Sequence, residues 1–420
     1  MSAVFPARII PAGDRVHVVV RALSVPLDPL DFLGRLDSER PFYFERAAEG
    51  VAVAAVDEVP CATPGDAGDL LRVGGFAFDP AGTPGGPWAG FGRREWAVPR
   101  LALVLRDRRA ELRAAATEAE GGQEAAVRRL DDAVAQLARP VHALGAREAR
   151  GYRVEPAGSA AAWRDAVQAT LADIEAGIVS KVVLARAARI RADAPWARLH
   201  VARRLRAAHP EATVFLVGRG RKALVGATPE RLAWLREGVL RTAAVAGTAA
   251  PSAPGGAADR AFLSDPKERR EHAIVVEHVR GRLDRVATGV QVPAEPEILS
   301  TPTLRHLHTP IRARLREGVG LLDVCDALHP TPAVCGLPRG EALSAVRARE
   351  EVERGWYAGG IGWTDASGGE VVVPLRAALL EGREALLFAG AGIVAGSSWE
   401  AELEEVRLKM RVVQAALLEL

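Results

Sequence analysis

The chain has 420 residues, 49% hydrophobic and 26% charged, enough for one large or two ordinary domains around a substantial core. Its 55 basic and 53 acidic residues leave a net charge of +2, which gives no electrostatic case for nucleic acid or an anionic membrane as partner. Cys61, Cys325 and Cys335 form no CxxC pair, the N-terminus lacks a basic-then-apolar leader pattern and no apolar run nears the ~20 residues of a membrane helix, so neither zinc site nor disulfide framework is indicated and a cytoplasmic protein is expected.

In chain order, "RVHVVVRALSV" and "FYFERAAEGVAVAAVDEV" predict strands, the second turning at "AAEG". "EAAVRRLDDAVAQLAR" carries apolar residues at helical spacing. "ARPVHALGAREARGYRVEPAG" is the expected linker, dividing residues 1–150 from residues 151–420. Beyond it, "AAWRDAVQATLADIEAG" predicts a helix closed by Gly177, "SKVVLARAARI" a strand and "PWARLHVARRLRAAHP" a helix. "TVFLVG", "ALVGATPERLAWLREG" and "VLRTAAVAGT" are strand-like, and "GTAAPSAPGGAADR" predicts a mobile loop. "DPKERREHAIVVEHVRGRLDRV" predicts a helix with Asp265 as cap, Pro266 in first position and Glu268 completing a capping box. "YAGGIGWT", "GEVVVPLRAALL" and "EALLFAGAGIV" predict later strands, and a last helix follows Ser397. Strands and helices do not alternate strictly, so the expected class is α+β, with large, mostly antiparallel sheets packed with helices.

Several residues in these elements carry possible chemistry. The glycines of "GAGIVAGSSWEAELEEVRLK" suggest an anion cradle, but GxGxxxG is not the dinucleotide spacing and no Lys-Ser/Thr pair follows them. On the helix beyond, Glu402, Glu405 and Lys409 fall within an arc of roughly 60° at about 100° per residue. They flank an apolar stripe of Val406, Met410, Val413 and Leu417. Two such carboxylates suit Mg²⁺, a hard cation that keeps waters and bridges to anionic substrates; taken alone, an ordinary Glu–Lys surface helix is the commoner case. Glu271 and His272 lie on the capped helix beside a core stripe of Val275, Val276, Val279 and Leu283, and alone each fits an ordinary helix position.

Lys181 interrupts an apolar strand. A lysine half buried there loses solvation, which lowers its pKa and suits a general base; an edge-strand lysine reaching water is the equal alternative. Glu230 in "ATPERL" follows a Pro-fixed turn between two strand-like segments and would act as a general acid if desolvation raises its pKa; a turn carboxylate exposed to water is the commoner case. Arg376 interrupts "VVVPLRAALL" and, if buried, needs an anion. His306, His308 and His329 lie in "LRHLHTPI" and "LHPTPAVCGLPR", whose prolines fix loop shape, and are too far apart for a zinc spacing.

The order of the stretches says more than any one of them. "SKVVLAR", "ATPERL", "AVAGT", "KERREH", "HLHTPI", "LHPTPAVCGLPRG", "RGWYAGGIGW" and "FAGAGIVAGSSWEAELEEVRLK" follow one another as in the chorismate-utilising enzymes, which this chain resembles over about residues 150–415. That family includes the isochorismate, salicylate, anthranilate and aminodeoxychorismate synthases. Residues 1–150 look like the variable N-terminal half of its fold, and residues 151–420 like its chorismate-binding catalytic region around a central cleft. "HPTPAVCG" is similar to the isochorismate synthase branch. The ammonia-using and salicylate-forming branches tend to carry Thr or Ser where this chain has Ala333, and the anthranilate type reads more like GTxxGAPK.

The resemblance implies reversible conversion of chorismate to isochorismate, by water attack at C2 and loss of the 4-hydroxyl, for menaquinone or siderophore biosynthesis. Lys181 would activate the water and Glu230 would protonate the leaving hydroxyl. Glu271 and Glu405 would ligate Mg²⁺, with Glu402 acting through bound water, and the metal would hold the ring carboxylate. Arg376, Tyr357, Lys409 and the backbone at Gly390 would hold substrate carboxylates, supported by Gly247 and Thr248. His306 would line the ring pocket, and Ala333 the substrate loop. A monomer without a glutamine amidotransferase subunit is implied. The chain departs from the family pattern at Trp399, commonly proline, at Leu403, commonly tryptophan, at Cys335, frequently glycine, and at Pro374 just before Arg376. Two alternatives remain at this point. A salicylate synthase would go on to eliminate pyruvate, and Ala333 argues against it. A catalytically silent binding protein on the same fold is opposed by Lys181, Glu230, Glu271 and Glu405.

Overall fold

Side-chain alternation along "FYF" shows how the sheets are built. Phe42 and Phe44 join one apolar cluster and Tyr43, between them, joins another, as the two-residue period of a strand requires. Phe215 and Val217 likewise face the first cluster, and Val214 and Leu216 the second. These strands are covered on both faces.

The computed structural model describes residues 8–10, 16–24, 27–59, 70–138, 151–253, 255–300 and 305–418. Cys61 and most of the expected linker lie outside them. Every strand pairing among the described residues is antiparallel. The larger sheet runs from Arg8–Ile10 through Val16–Leu23, Arg109–Thr117, Pro99–Arg106, Val51–Glu58 and Phe42–Arg46 to Thr213–Arg219. It continues through Lys222–Thr228, Ala377–Glu381, Glu384–Ile393 and Lys181–Ala192 to Gly336–Leu337. The smaller sheet runs Ala287–Gln291, Arg305–Leu315, Val239–Ala249, Arg231–Arg236, Gly368–Val372, Gly360–Asp365, Arg72–Phe76, Arg94–Ala97. Each sheet takes strands from both sides of residue 150.

The first apolar cluster takes side chains from both sheets, among them Phe44, Phe215, Trp363 and Phe388. Helix Pro266–Val286 adds Val275, Val279 and Leu283, and helix Trp399–Leu418 adds Val406 and Met410. On the other face of the larger sheet lie Leu30 and Phe32 of helix Pro29–Arg35, Leu130 of helix Gly122–Leu137, and Val201 and Leu205 of helix Arg198–Ala208. Val413 and Leu417, late in helix Trp399–Leu418, join that outer cluster. Among the described residues no helix is long and apolar enough to cross a membrane.

The structure corrects several sequence expectations. The two strand-like segments about the turn in "ALVGATPERLAWLREG" lie in different sheets, Lys222–Thr228 in the larger and Arg231–Arg236 in the smaller. "GEVVVPLRAALL" divides in the same way into Gly368–Val372 and Ala377–Glu381. Pro229 and Pro374 have no N–H for a ladder, so the strands stop there and the chain crosses between sheets. The two crossings are tied together: the Val373 N–H donates to the Glu230 carbonyl at 3.0 Å, and Thr228 Oγ1 donates to the Val373 carbonyl at 2.6 Å. The end of the expected linker is a strand, Tyr152–Ala157, paired along Lys181–Ala192. The expected mobile loop is shortened from both ends, by strand Val239–Ala249 and helix Ala257–Ser264. Its Asp259 is buried in an ion pair with Arg305. "LRHLHTPI" opens a strand, Arg305–Leu315, not a loop. Its Pro310 falls between the segments paired to Glu297–Ser300 and Ala287–Gln291, where no outer strand asks for an N–H.

Candidate active site

A cavity of about 280 Å³ lies where several pieces of chain meet. Among them are the two crossings, the start of strand Lys181–Ala192, the first turns of helix Pro266–Val286 and the first turns of helix Trp399–Leu418. Lys181, Glu230, Gly247, Glu271, His306, Ala333, Tyr357, Arg376, Gly390, Glu402, Glu405 and Lys409 all line it. Thr248 follows Gly247 in the same strand, and its side chain lies outside the described residues.

Lys181 is 3% exposed, and its Nζ donates to Glu271 Oε1 at 2.5 Å. Neither the half-buried nor the edge-strand picture holds, because Gly336–Leu337 covers the strand edge and Glu384–Ile393 pairs on the other side. Gly392 makes room for this side chain: a Cβ there would lie 3.0 Å from Lys181 Cε. Glu230 is half-buried, and its open side faces the cavity. Desolvation pushes its carboxyl up to about 7, against the opposing charges of Lys181, Lys409 and Arg376. A carboxyl tuned to that value is protonated for much of its time near neutrality, as a general acid requires.

Arg376 sits on the second crossing with φ at +48°, a left-handed conformation costing a non-glycine residue about 1–3 kcal/mol. It is 7% exposed, and desolvation brings its guanidinium down to about 10. Among the described residues no carboxylate closes on it to salt-bridge distance, and the charges of Glu211 and Glu230 reach it only from further away. A buried, strained cation without a close counter-ion is prepared for an incoming anion. Tyr357, also buried, stacks on Phe388 at 5.1 Å between centroids.

His306 Nδ1 donates to the Gly247 carbonyl at 3.0 Å, and burial beside Lys409 and Arg376 drives its pKa down to about 3. The imidazole is therefore neutral, its proton on Nδ1, and Nε2 is an acceptor. Gly247 itself has φ at +76°, and a Cβ there would meet the Glu268 carboxylate at 2.8 Å.

Besides Glu230, four carboxylates line the same cavity: Glu268, Glu271, Glu402 and Glu405. Glu405 pairs with Lys409 at 2.6 Å, and Lys409 also donates to the Gly390 carbonyl at 2.9 Å. Glu402 is buried, and desolvation with the neighbouring Glu405 charge raises its carboxyl despite a hydrogen bond from Ser397. Among the described residues no three acidic, His or Cys side chains gather into a ready-made cation cage. Glu271 and Glu405 nevertheless face one cavity from two helices, and Mg²⁺ takes one or two protein carboxylates and keeps water and substrate oxygens for the rest.

Sequence reasoning missed part of this lining. Asp265 caps its helix by accepting from the Lys267 and Glu268 N–H groups, with Pro266 behind it, but the Glu268 side chain lines the cavity in place of closing a capping box. Lys267, Arg354 and Phe388 also line it. The remaining histidines do not: His272 is buried on Thr309 at 2.7 Å, His308 lies near Glu297, and His329 packs against Phe76 under a bond to the Phe78 carbonyl. The departures from the family pattern are absorbed locally. The Trp399 carbonyl accepts from Trp163 Nε1, Leu403 and Cys335 are buried, and Pro374 marks the crossing.

Comparison with known proteins gives the family. The family model "Chorismate binding enzyme" matches residues 63–418. The salicylate biosynthesis isochorismate synthase of Pseudomonas aeruginosa is 34% identical over 97% of this chain and 91% of its own length. An isochorismate synthase of Bacillus subtilis is 32% identical over 82% of this chain and 74% of its own. Among solved structures, the menaquinone-specific isochorismate synthase of Escherichia coli superposes with a TM-score of 0.84 at 26% identity, covering 97% of this chain and 96% of that one.

Proposed function

The chain belongs to the chorismate-binding enzyme family, and from that premise we infer that it is an isochorismate synthase, converting chorismate reversibly to isochorismate for menaquinone or siderophore biosynthesis. The reaction adds water at C2, shifts both conjugated ring double bonds and expels the 4-hydroxyl as water. One water enters and one leaves, so a proton is taken on one side and returned on the other. Lys181 Nζ would take the proton from the attacking water, and the Glu230 carboxyl would deliver one to the departing hydroxyl. Arg376 would hold one substrate carboxylate, with Tyr357, the Gly390 backbone and Lys409 beside it. Neutral His306, fixed by Gly247, would accept from a substrate hydroxyl through Nε2, with Thr248 in support and Ala333 facing the ring. Positioning and electrostatics do most of the work in such a site.

Glu271 and Glu405 would hold Mg²⁺, with Glu402 and Glu268 reached through water. When bound, the metal would neutralise and orient the ring carboxylate. Water is the nucleophile, so no glutamine amidotransferase subunit is needed. A monomer in the cytoplasm belongs to the same reading.

The observation that carries this reading is a single cavity holding a buried lysine, a carboxyl pushed up to about 7 and a buried arginine without a close counter-ion among the described residues. The test is purified protein with chorismate and Mg²⁺, without ammonia, followed by NMR. Isochorismate approaching equilibrium, and lost with EDTA, is the expected result. Salicylate with pyruvate would make the chain a salicylate synthase. Unchanged chorismate in a folded sample would make it a silent binder.

A further inference from the structure

The edge of the strand that begins at Lys181 is completed in an unusual way. Lys181 and Val182 pair with Leu337 and Gly336, and the Val183 N–H donates to the Cys335 carbonyl at 2.8 Å. Regular pairing resumes only at Ala187, opposite Ala157. Between these points two side chains do what a strand would do. Arg354 Nη2 donates to the Val183 carbonyl at 2.7 Å, and the Ala185 N–H donates to Glu350 Oε1 at 2.8 Å. Arg354 Nε donates to Glu350 Oε2 at 2.8 Å, and Nη2 also reaches Glu350 Oε1. Both side chains are nearly inaccessible, at 4% and 6%.

The same guanidinium reaches a second element. Arg354 Nη1 donates to the Val334 carbonyl at 2.7 Å, in the turn that puts Ala333 and Val334 on the cavity wall. Its plane lies over Phe78, 4.1 Å from the ring centroid. We propose that the Arg354–Glu350 pair is a positioning device for isochorismate formation: it sets the strand of the base Lys181 against the turn that carries Ala333. A planar fork with five donors can bond a carboxylate and two carbonyls at once; an ammonium on a flexible stem cannot hold that geometry. The pair touches neither Arg376 nor Lys409, so the hold on the substrate's carboxylates is independent of it. The proposal rests on the isochorismate synthase reading.

Its test compares kcat and KM for chorismate in the parent, in Arg354→Lys and in Arg354→Met/Glu350→Leu. The double variant replaces a buried ion pair by apolar groups, a change usually tolerated by the fold, and covers the case in which the single variant does not fold. The expected result is a fall in kcat of about ten- to a hundredfold with KM changed by less than about threefold, as displacing a catalytic group by about 1 Å produces. Arg349→Lys is the control: that arginine pairs with Asp173 and Thr170, away from the cavity, and its kcat stays at the parent value. A folded Arg354 variant with kcat within about twofold of an active parent overturns the proposal, since a shift well under 1 Å is all that leaves. A loss confined to KM overturns it as well. An inactive parent overturns the functional reading first and this proposal with it.

Discussion

Glu230→Gln keeps the shape of the proposed acid and removes its charge. The folded chain holds this carboxyl at about 7 against an ordinary 4.5. At about 1.36 kcal/mol per pH unit, the gap from 4.5 to 7 corresponds to about 3 kcal/mol, and solvent on the cavity side reduces it to about 2 kcal/mol. The raised value sets the sign. Below 4.5 the group is protonated in folded and unfolded chains alike, and its stability contribution is complete. Between 4.5 and about 7 only the unfolded chain ionises, so stability falls with rising pH, and above about 7 the loss is full. The Gln variant has no such loss. At about 2.1 cal/mol/K per residue for a chain of this length, its Tm should gain about 2 °C on the parent between pH 4.5 and pH 8. Differential scanning calorimetry without substrate or metal reads this directly. In the parent, kcat/KM should fall with an apparent pKa near 7 on the alkaline side. A Tm difference that stays constant across this range would show that Glu230 is ionised throughout and is not the acid.

Lys181→Ala should lower turnover by about 10²–10⁴-fold with an unchanged circular dichroism spectrum; surviving turnover would remove Lys181 from the base role. Arg376→Gln should raise KM by about 10–100-fold, the worth of a charge-assisted hydrogen bond of about 1.5–3 kcal/mol, and a chorismate titration of unchanged midpoint would refute the anion role. Mn²⁺ binding followed by electron paramagnetic resonance should weaken in Glu271→Gln and in Glu405→Gln; parent-like binding in both would place the metal elsewhere. Asp265→Ala should cost about 1 kcal/mol through loss of its two accepted N–H bonds, measured as a lowered Tm, and an unchanged Tm would mean water replaces the cap at no cost.

What the sequence made legible was what breaks a local pattern. Lys181 and Arg376 stand out because each is a charge inside an apolar run, and Glu402, Glu405 and Lys409 because one helical arc holds all three. The apolar stripes of the two site helices were readable for the same reason, and Val275, Val279, Val406 and Val413 are buried as their spacing requires. Partners distant in the chain were not readable. Nothing local links Lys181 to Glu271 90 residues on, or Arg354 to Val183, because those contacts exist only after the sheets have formed. Glu268 was hidden by a second plausible role at a helix start, and Arg354 and Glu350 by a charged run, "REEVERGW", that looks like a solvated surface. The turn at Pro229 was legible but the break at Pro374 was not, because apolar residues continue on both sides of it, and composition records no change of sheet at either. Helix Pro29–Arg35 was missed although Asp28 and Pro29 repeat the signal of Asp265 and Pro266: at seven residues it is too short to show a period.

The two tied crossings have a consequence for how the molecule opens. The Val373 amide is held by the Glu230 carbonyl, and the Thr228 hydroxyl by the Val373 carbonyl, so the segments bearing acid and anchor are one mechanical unit. A fluctuation that parts the sheets here frees both at once. Amide hydrogen exchange at Val373 and Ala227, whose N–H donates to the Arg376 carbonyl, should therefore follow a single opening equilibrium. On heating, the site would lose its proton donor and its anchor together.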